Sequence, residues 1–263
     1  MPMPIPKDFD YHQLVLDPLE SFTRDAFGLN IENWAKFRHT IAVGTDPDHL
    51  KGTSVSDDLK SAYRELGKCH YEVVRSLGFC YLALSQFNFG NFFVQEKSIK
   101  DFYFHAGVLL DNLSRLVYIV NVPDAPSATY PSKKNPGKLI RWGIDRTKLL
   151  QDWKHCIPAY LPHLDNNLIN ELTAVRNAHA HYWKIPCQFE PSKGGCWPRD
   201  QLRQKAFAWP HHDTKFSDYS DWTPITQIIT EHSQALLDTQ RNGFELLISD
   251  ITKFEANNGV KIE

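Results

Sequence analysis

The 263-residue sequence lacks the features that mark secreted and membrane-spanning proteins. Its five cysteines are odd in number and include no close CxxC pair, a pattern typical of reduced thiols rather than of a disulfide framework. The start of the chain has no basic stretch followed by an apolar run, so no secretory signal is expected. The most apolar segment, 102–120, contains charged residues and predicts a buried helix instead of a membrane span. We therefore expect a cytoplasmic protein without membrane association.

An excess of charge of one sign is also missing. The chain has 29 Lys and Arg against 31 Asp and Glu, a formal net charge of -2, so there is no global field to hold nucleic acid. Any nucleic-acid site must be a local basic patch. No GK[ST] follows Gly194 and Gly195, which excludes a phosphate loop there, and the sequence contains no GxSxG nucleophile elbow.

Apolar residues at helical spacing are abundant. They predict long helices over about 56–87, 96–121, 165–183 and 223–256. Asp165 is the expected N-cap of the third helix, and Thr223 with Pro224 is the expected start of the fourth. The fold class predicted is all-α, an antiparallel, up-and-down four-helix bundle.

The remaining segments are predicted to decorate that bundle. Residues 1–55 form an N-terminal extension packed on the core, and residues 56–263 form the bundle with two long insertions, 122–164 and 184–222. The first insertion begins with a Pro-rich stretch that predicts a long loop. The second has no helical period and predicts either a short hairpin or an irregular cover.

The sharpest functional signal is Arg176-Asn177-Ala178-His179-Ala180-His181, near the end of the third helix. Asn177 and His181 share a helical face, and the long side chain of Arg176 can reach the same region. Arginine binds phosphate oxygens and can stabilise charge on a pentavalent phosphorus, while histidine can move a proton near neutral pH. The set therefore suits cleavage of RNA, whose 2'-hydroxyl supplies the nucleophile without a metal.

This motif, Arg-(Asn/His/Asp)-x-x-x-His at the end of a helix in a four-helix bundle, resembles the HEPN superfamily. The resemblance rests on Arg176 to His181 and on the number of predicted helices. It implies a homodimer with facing motifs and metal-independent endoribonuclease activity on an RNA substrate, as in toxins, abortive-infection and RNA-processing factors. Many members pair with a minimal nucleotidyltransferase antitoxin, so such a partner is implied. No cofactor and no metal are expected.

The resemblance also implies roles for individual residues. Arg176 and His181 would be the catalytic pair, with Asn177 as their polar helper. An acidic residue on an earlier helix often supports the arginine in that family, and Asp111 is the candidate here. His179, inside the motif, is a second candidate for support.

A weaker signal lies in the first insertion. Its basic residues could guide RNA phosphates, although a solvated loop is the more common meaning of such a run. The RNA-binding candidates are Lys133, Lys134, Arg141 and Arg146.

Two other interpretations stay open. Arg and His at a helix end can simply cap carbonyl groups and complement the helix dipole. The same fold can also serve as a non-catalytic dimeric module that binds nucleotides, RNA or protein. A zinc site is disfavoured, because Cys187 and Cys196 are too far apart for a usual ligand pair.

Overall fold

The computed structural model describes residues 57–89, 91–121, 129–131, 139–141, 154–180, 185, 187–203 and 222–236. This part is mostly helical and includes a small three-stranded sheet, which the all-α prediction did not contain. The predicted N-terminal extension, 1–55, lies outside the described residues.

The first two helices form a long antiparallel hairpin. Helix α1 spans Asp57–Phe89 and helix α2 spans Phe92–Asn121. Gln95 donates a side-chain hydrogen bond to the carbonyl of Phe87 at 3.3 Å, and the Cys80 thiol donates to the carbonyl of Phe102 at 3.6 Å. Because the later contact on α2 meets the earlier residue on α1, the two helices run in opposite directions.

The predicted apolar stripe of α2 is confirmed as core. Phe102, Ala106, Leu109, Leu113 and Leu116 are all buried, as their three- and four-residue spacing predicts. Burial of this stripe against α1 and its other neighbours supplies most of the driving force for holding the helices together.

The start of α2 was predicted four residues too late, at about Glu96. Asn91 explains the difference, because its side-chain oxygen accepts a hydrogen bond from the backbone N–H of Val94 at 3.2 Å. An asparagine in this position satisfies a donor that the first helical turn leaves without a partner. The residue therefore caps α2.

Two short strands lie within the first insertion. Strand β1, Thr129–Pro131, pairs antiparallel with strand β2, Leu139–Arg141. The prediction that the Pro-rich stretch over 122–137 is a long loop is therefore wrong at β1. The four-residue helix α3, Ile157–Tyr160, follows.

Helix α4 spans Asn166–Ala180. Its predicted N-cap is confirmed, because the carboxylate of Asp165 accepts a hydrogen bond from the backbone N–H of Leu168 at 2.7 Å. Helix α4 packs against α2 and buries Leu172 and Val175 on its inner face.

The second insertion contains a hairpin, one of its two predicted forms. Strand β3, Gln188–Glu190, and strand β4, Gly194–Pro198, are antiparallel. Gly194 has a φ of 74°, a left-handed conformation that a residue without Cβ adopts readily. Helix α5, Arg199–Arg203, continues directly from β4.

The predicted helix start at Thr223 and Pro224 is wrong. Both residues belong to strand β5, Trp222–Pro224, in which Thr223 pairs with Trp197. Strand β5 is an edge of the β3-β4-β5 sheet, where a proline is tolerated. Helix α6 begins at 225 and is described to 236, and its Ile228, Ile229 and Leu236 join the core.

No helix in the described ranges has both the length and the apolar character needed to cross a membrane.

Substitution of Asp165 tests whether this residue caps α4. Asp165→Ala should lower the free energy of unfolding by about 1 kcal/mol, because it leaves a first-turn N–H without its partner. Asn167→Ala, an exposed change in the same turn, is the matched control and should change it by less than about 0.5 kcal/mol. Equal effects of the two substitutions in denaturant unfolding would show that Asp165 does not cap α4.

Candidate functional site

The motif residues lie at the C-terminal end of α4. Arg176 is half-buried and Asn177 is exposed, while α4 ends at Ala180. His181 lies outside the described residues.

Arg176 lies flat across a glycine of α2. A Cβ atom placed on Gly107 would come within 2.8 Å of Arg176 Cγ and 3.2 Å of Arg176 Nε. Real Cβ atoms essentially never approach another heavy atom as closely as 2.8 Å, so any larger residue at position 107 would push the middle of the arginine side chain away. Gly107 thus provides the recess in which the stem of Arg176 rests.

The head of Arg176 is oriented by its neighbour in sequence. Its Nη1 donates a hydrogen bond to Asn177 Oδ1 at 3.0 Å. Its Nε is buried and has no hydrogen-bond partner among the described residues. The guanidinium is thus anchored at its base and presented beside an exposed amide, which suits recognition of an anion.

His179 lies on the inner side of α4, among aromatic rings. Its ring centroid is 6.2 Å from that of Tyr103 on α2 and 6.2 Å from that of Trp197 on β4. Burial, together with the nearby positive charge of Lys100, lowers the pKa of His179 to about 4. At neutral pH His179 is therefore an uncharged packing residue and holds no proton to donate from an imidazolium.

Asp111, the candidate acidic support, forms an ion pair with Lys154. The distance from Asp111 Oδ1 to Lys154 Nζ is 2.9 Å. Asp111 lies one helical turn beyond Gly107 on α2, so it is on the face that carries Arg176. Its charge is balanced by the lysine just before α3.

Most of the RNA-binding candidates in the first insertion lie outside the residues that the structure describes. Lys133, Lys134 and Arg146 lie outside the described residues. Arg141 is the last residue of β2 and pairs with Thr129. Their proposed guidance of RNA phosphates stays a prediction.

A buried polar network adjoins the motif, and sequence reasoning missed it. The Tyr103 hydroxyl and His232 Nδ1 are hydrogen-bonded at 2.9 Å, and His232 Nε2 lies 3.4 Å from Glu171 Oε1. Glu171 also approaches Arg199 at 3.3 Å and Arg203 at 3.4 Å. Tyr103, Glu171 and His232 are all buried.

The charge of Glu171 is maintained by these partners. Burial alone would raise the pKa of Glu171, but the approach of His232 and the charges of Arg199 and Arg203 outweigh burial and lower this pKa. A carboxylate in a core is stable only with such compensation. A signal was present in the sequence, because Glu171 lies between Leu168 and Leu172 at the apolar face of the predicted helix.

Among the described residues, no group of three or more His, Cys, Asp or Glu side chains is arranged to hold a metal ion. Comparisons with models of known protein families, with curated proteins and with solved structures find no match for this chain.

The environment of His179 predicts a pH dependence of stability. In the unfolded chain a histidine binds a proton below its usual pKa of about 6.5. The folded His179 binds one only below about 4. The unfolded state therefore holds more protons between these values, and the free energy of unfolding should fall as the pH drops from about 6.5 to about 4.

His179→Phe should flatten that decline, as measured by denaturant unfolding at a series of pH values. His155→Phe is a matched control, since His155 is exposed and its imidazole is not enclosed by the Tyr103 and Trp197 rings. If the His179→Phe curve ran parallel to that of the wild type, the burial of a neutral His179 would be refuted.

Proposed function

We propose that this chain is a metal-independent endoribonuclease of the HEPN type, a cytoplasmic toxin, abortive-infection or RNA-processing factor. In this proposal it folds as an up-and-down four-helix bundle and acts as a homodimer. A nucleotidyltransferase-type antitoxin is its proposed protein partner, and RNA is its substrate.

The observation that carries the proposal is the placement of Arg176. Its stem is held across Gly107, and its guanidinium is bonded to the exposed Asn177 at the end of α4. A positive charge held in place before substrate binds needs little reorganisation to stabilise a phosphorane. Arginine and asparagine in these positions are the first two fixed residues of the motif that ends at His181.

The proposed reaction is an internal transesterification. The 2'-hydroxyl of RNA attacks the adjacent phosphorus, forming the 2'-O–P bond and breaking the P–O5' bond. His181 takes the proton of the 2'-hydroxyl and later releases it to solvent, and the leaving 5'-oxygen takes a proton from water. Arg176 stabilises the charge on the pentavalent phosphorus, and Asn177 orients His181 or holds a phosphate oxygen. The products are a 2',3'-cyclic phosphate and a 5'-hydroxyl.

Cleavage of labelled single-stranded RNA in EDTA tests this function. The wild-type chain should cut the RNA, whereas Arg176→Ala and His181→Ala should each reduce cleavage by about a hundredfold or more, because they remove charge stabilisation and proton transfer. Arg75→Ala on α1 and His155→Ala are controls for loss of an exposed arginine and an exposed histidine. Both controls should cleave like the wild type.

No cleavage by the wild type, or equal cleavage by all variants, would refute the proposal. RNA binding without cleavage would instead establish the non-catalytic module. Circular dichroism of every variant separates loss of activity from loss of folding.

A further inference from the structure

The side chains of Tyr103, His232 and Glu171 form a polar network that joins three helices. Tyr103 is on α2, His232 is on α6 and Glu171 is on α4. The hydrogen bond between Tyr103 and His232 is 2.9 Å long, and His232 Nε2 lies 3.4 Å from the Glu171 carboxylate. All three side chains are shielded from solvent, so water does not compete for these contacts.

Two arginines of helix α5, Arg199 and Arg203, contact the Glu171 carboxylate of this network. Arg199 lies between two carboxylates, with its Nε 3.3 Å from Glu171 and its terminal nitrogen bonded to Glu231. The hydrogen bond between Tyr103 and His232 and the one that Arg203 donates to Glu171 are directional, and the remaining contacts of Glu171 are electrostatic. These contacts favour one register of α4 against α2 and α6, in addition to the packing of the surrounding apolar core.

That register is also what places Arg176. Tyr103 and Gly107 are one turn apart on α2, and they contact His179 and Arg176, which are nearly one turn apart on α4. Tyr103 is thus fixed at its hydroxyl by His232, while its ring contacts His179. A shift of Tyr103 would move the same α2 surface on which Arg176 lies.

We propose that Tyr103, His232 and Glu171 are positioning residues for Arg176. They hold α4 on α2 so that the stem of Arg176 stays in the recess at Gly107 and its guanidinium stays beside Asn177, where it would meet the phosphorane. As to catalysis, this inference rests on the proposed ribonuclease function; as to the placement of Arg176, it stands on the contacts alone.

The experiment compares Tyr103→Phe with the wild type by two readouts. Tyr103→Phe removes only the hydroxyl and keeps the ring next to His179, so any effect on Arg176 must pass through the bond to His232. The first readout is the ¹H–¹⁵N signal of Arg176 Nε, assigned by its loss in Arg176→Lys. The second is RNA cleavage, with kcat and KM determined separately.

We expect the Arg176 Nε signal of Tyr103→Phe to shift and its proton to exchange faster with water. We also expect kcat to fall roughly tenfold to a hundredfold with KM nearly unchanged, since small misplacements of a catalytic group have effects of this size. Tyr81→Phe, which removes a hydroxyl from a buried tyrosine of α1, should leave kcat and the Arg176 signal as in the wild type.

A second pair of variants keeps the test decisive if Tyr103→Phe fails to fold. His232→Asn retains a polar group where Nδ1 meets Tyr103, whereas His232→Leu retains neither contact. Asn should restore the Arg176 signal and kcat in part, and Leu should not.

An Arg176 Nε signal and a kcat that are unchanged in Tyr103→Phe and in both His232 variants would overturn the inference. If the wild type does not cleave RNA, the ribonuclease proposal fails by itself. The Arg176 Nε signal then still decides whether the network positions this side chain.

Discussion

The close approach of Arg176 to Gly107 is the constraint on which the candidate site depends. A long charged side chain crosses a helix at a position where even one methyl group would collide with it. The contact confines the stem of the arginine against α2. Because the stem is confined, the guanidinium reaches solvent beside Asn177 in a defined place instead of sampling many rotamers.

Apolar and polar packing make different contributions around this contact. Leu109, Leu113 and Leu172 bury apolar surface and favour association of the helices in general. Glu171 and His232 lie 3.4 Å apart, an electrostatic contact whose strength depends on the relative position of α4 and α6. Loss of all three partners, His232, Arg199 and Arg203, would leave the buried Glu171 carboxylate without compensation, which is strongly destabilising.

Patterns within a few residues of sequence predicted the helices, whereas the pairing of strands that are distant in sequence could not be predicted from them. The α2 stripe and the Asp165 cap were correct because spacing and capping act within a few residues. The start assigned at Thr223 was wrong because β4, distant in sequence, recruits that residue into a sheet.

The same contrast applies to the site. The motif at Arg176 could be predicted from its residue types, whereas the recess at Gly107 and the partners of Glu171 depend on which helices meet. Spacing along one helix contains no information about the helix opposite it.

A double-mutant cycle between Gly107→Ala and Arg176→Ala tests the central contact most directly, with the free energy of unfolding as the measured quantity. Alanine is intrinsically better than glycine inside a helix by about 1 kcal/mol. With Arg176 present, Gly107→Ala should nevertheless destabilise the chain, because the new methyl group displaces the arginine. With Arg176→Ala already made, the same change should be neutral or stabilising, which gives a coupling energy of about 1 kcal/mol or more. An identical effect of Gly107→Ala in both backgrounds would contradict the packing of Arg176 on α2 and the account built upon it.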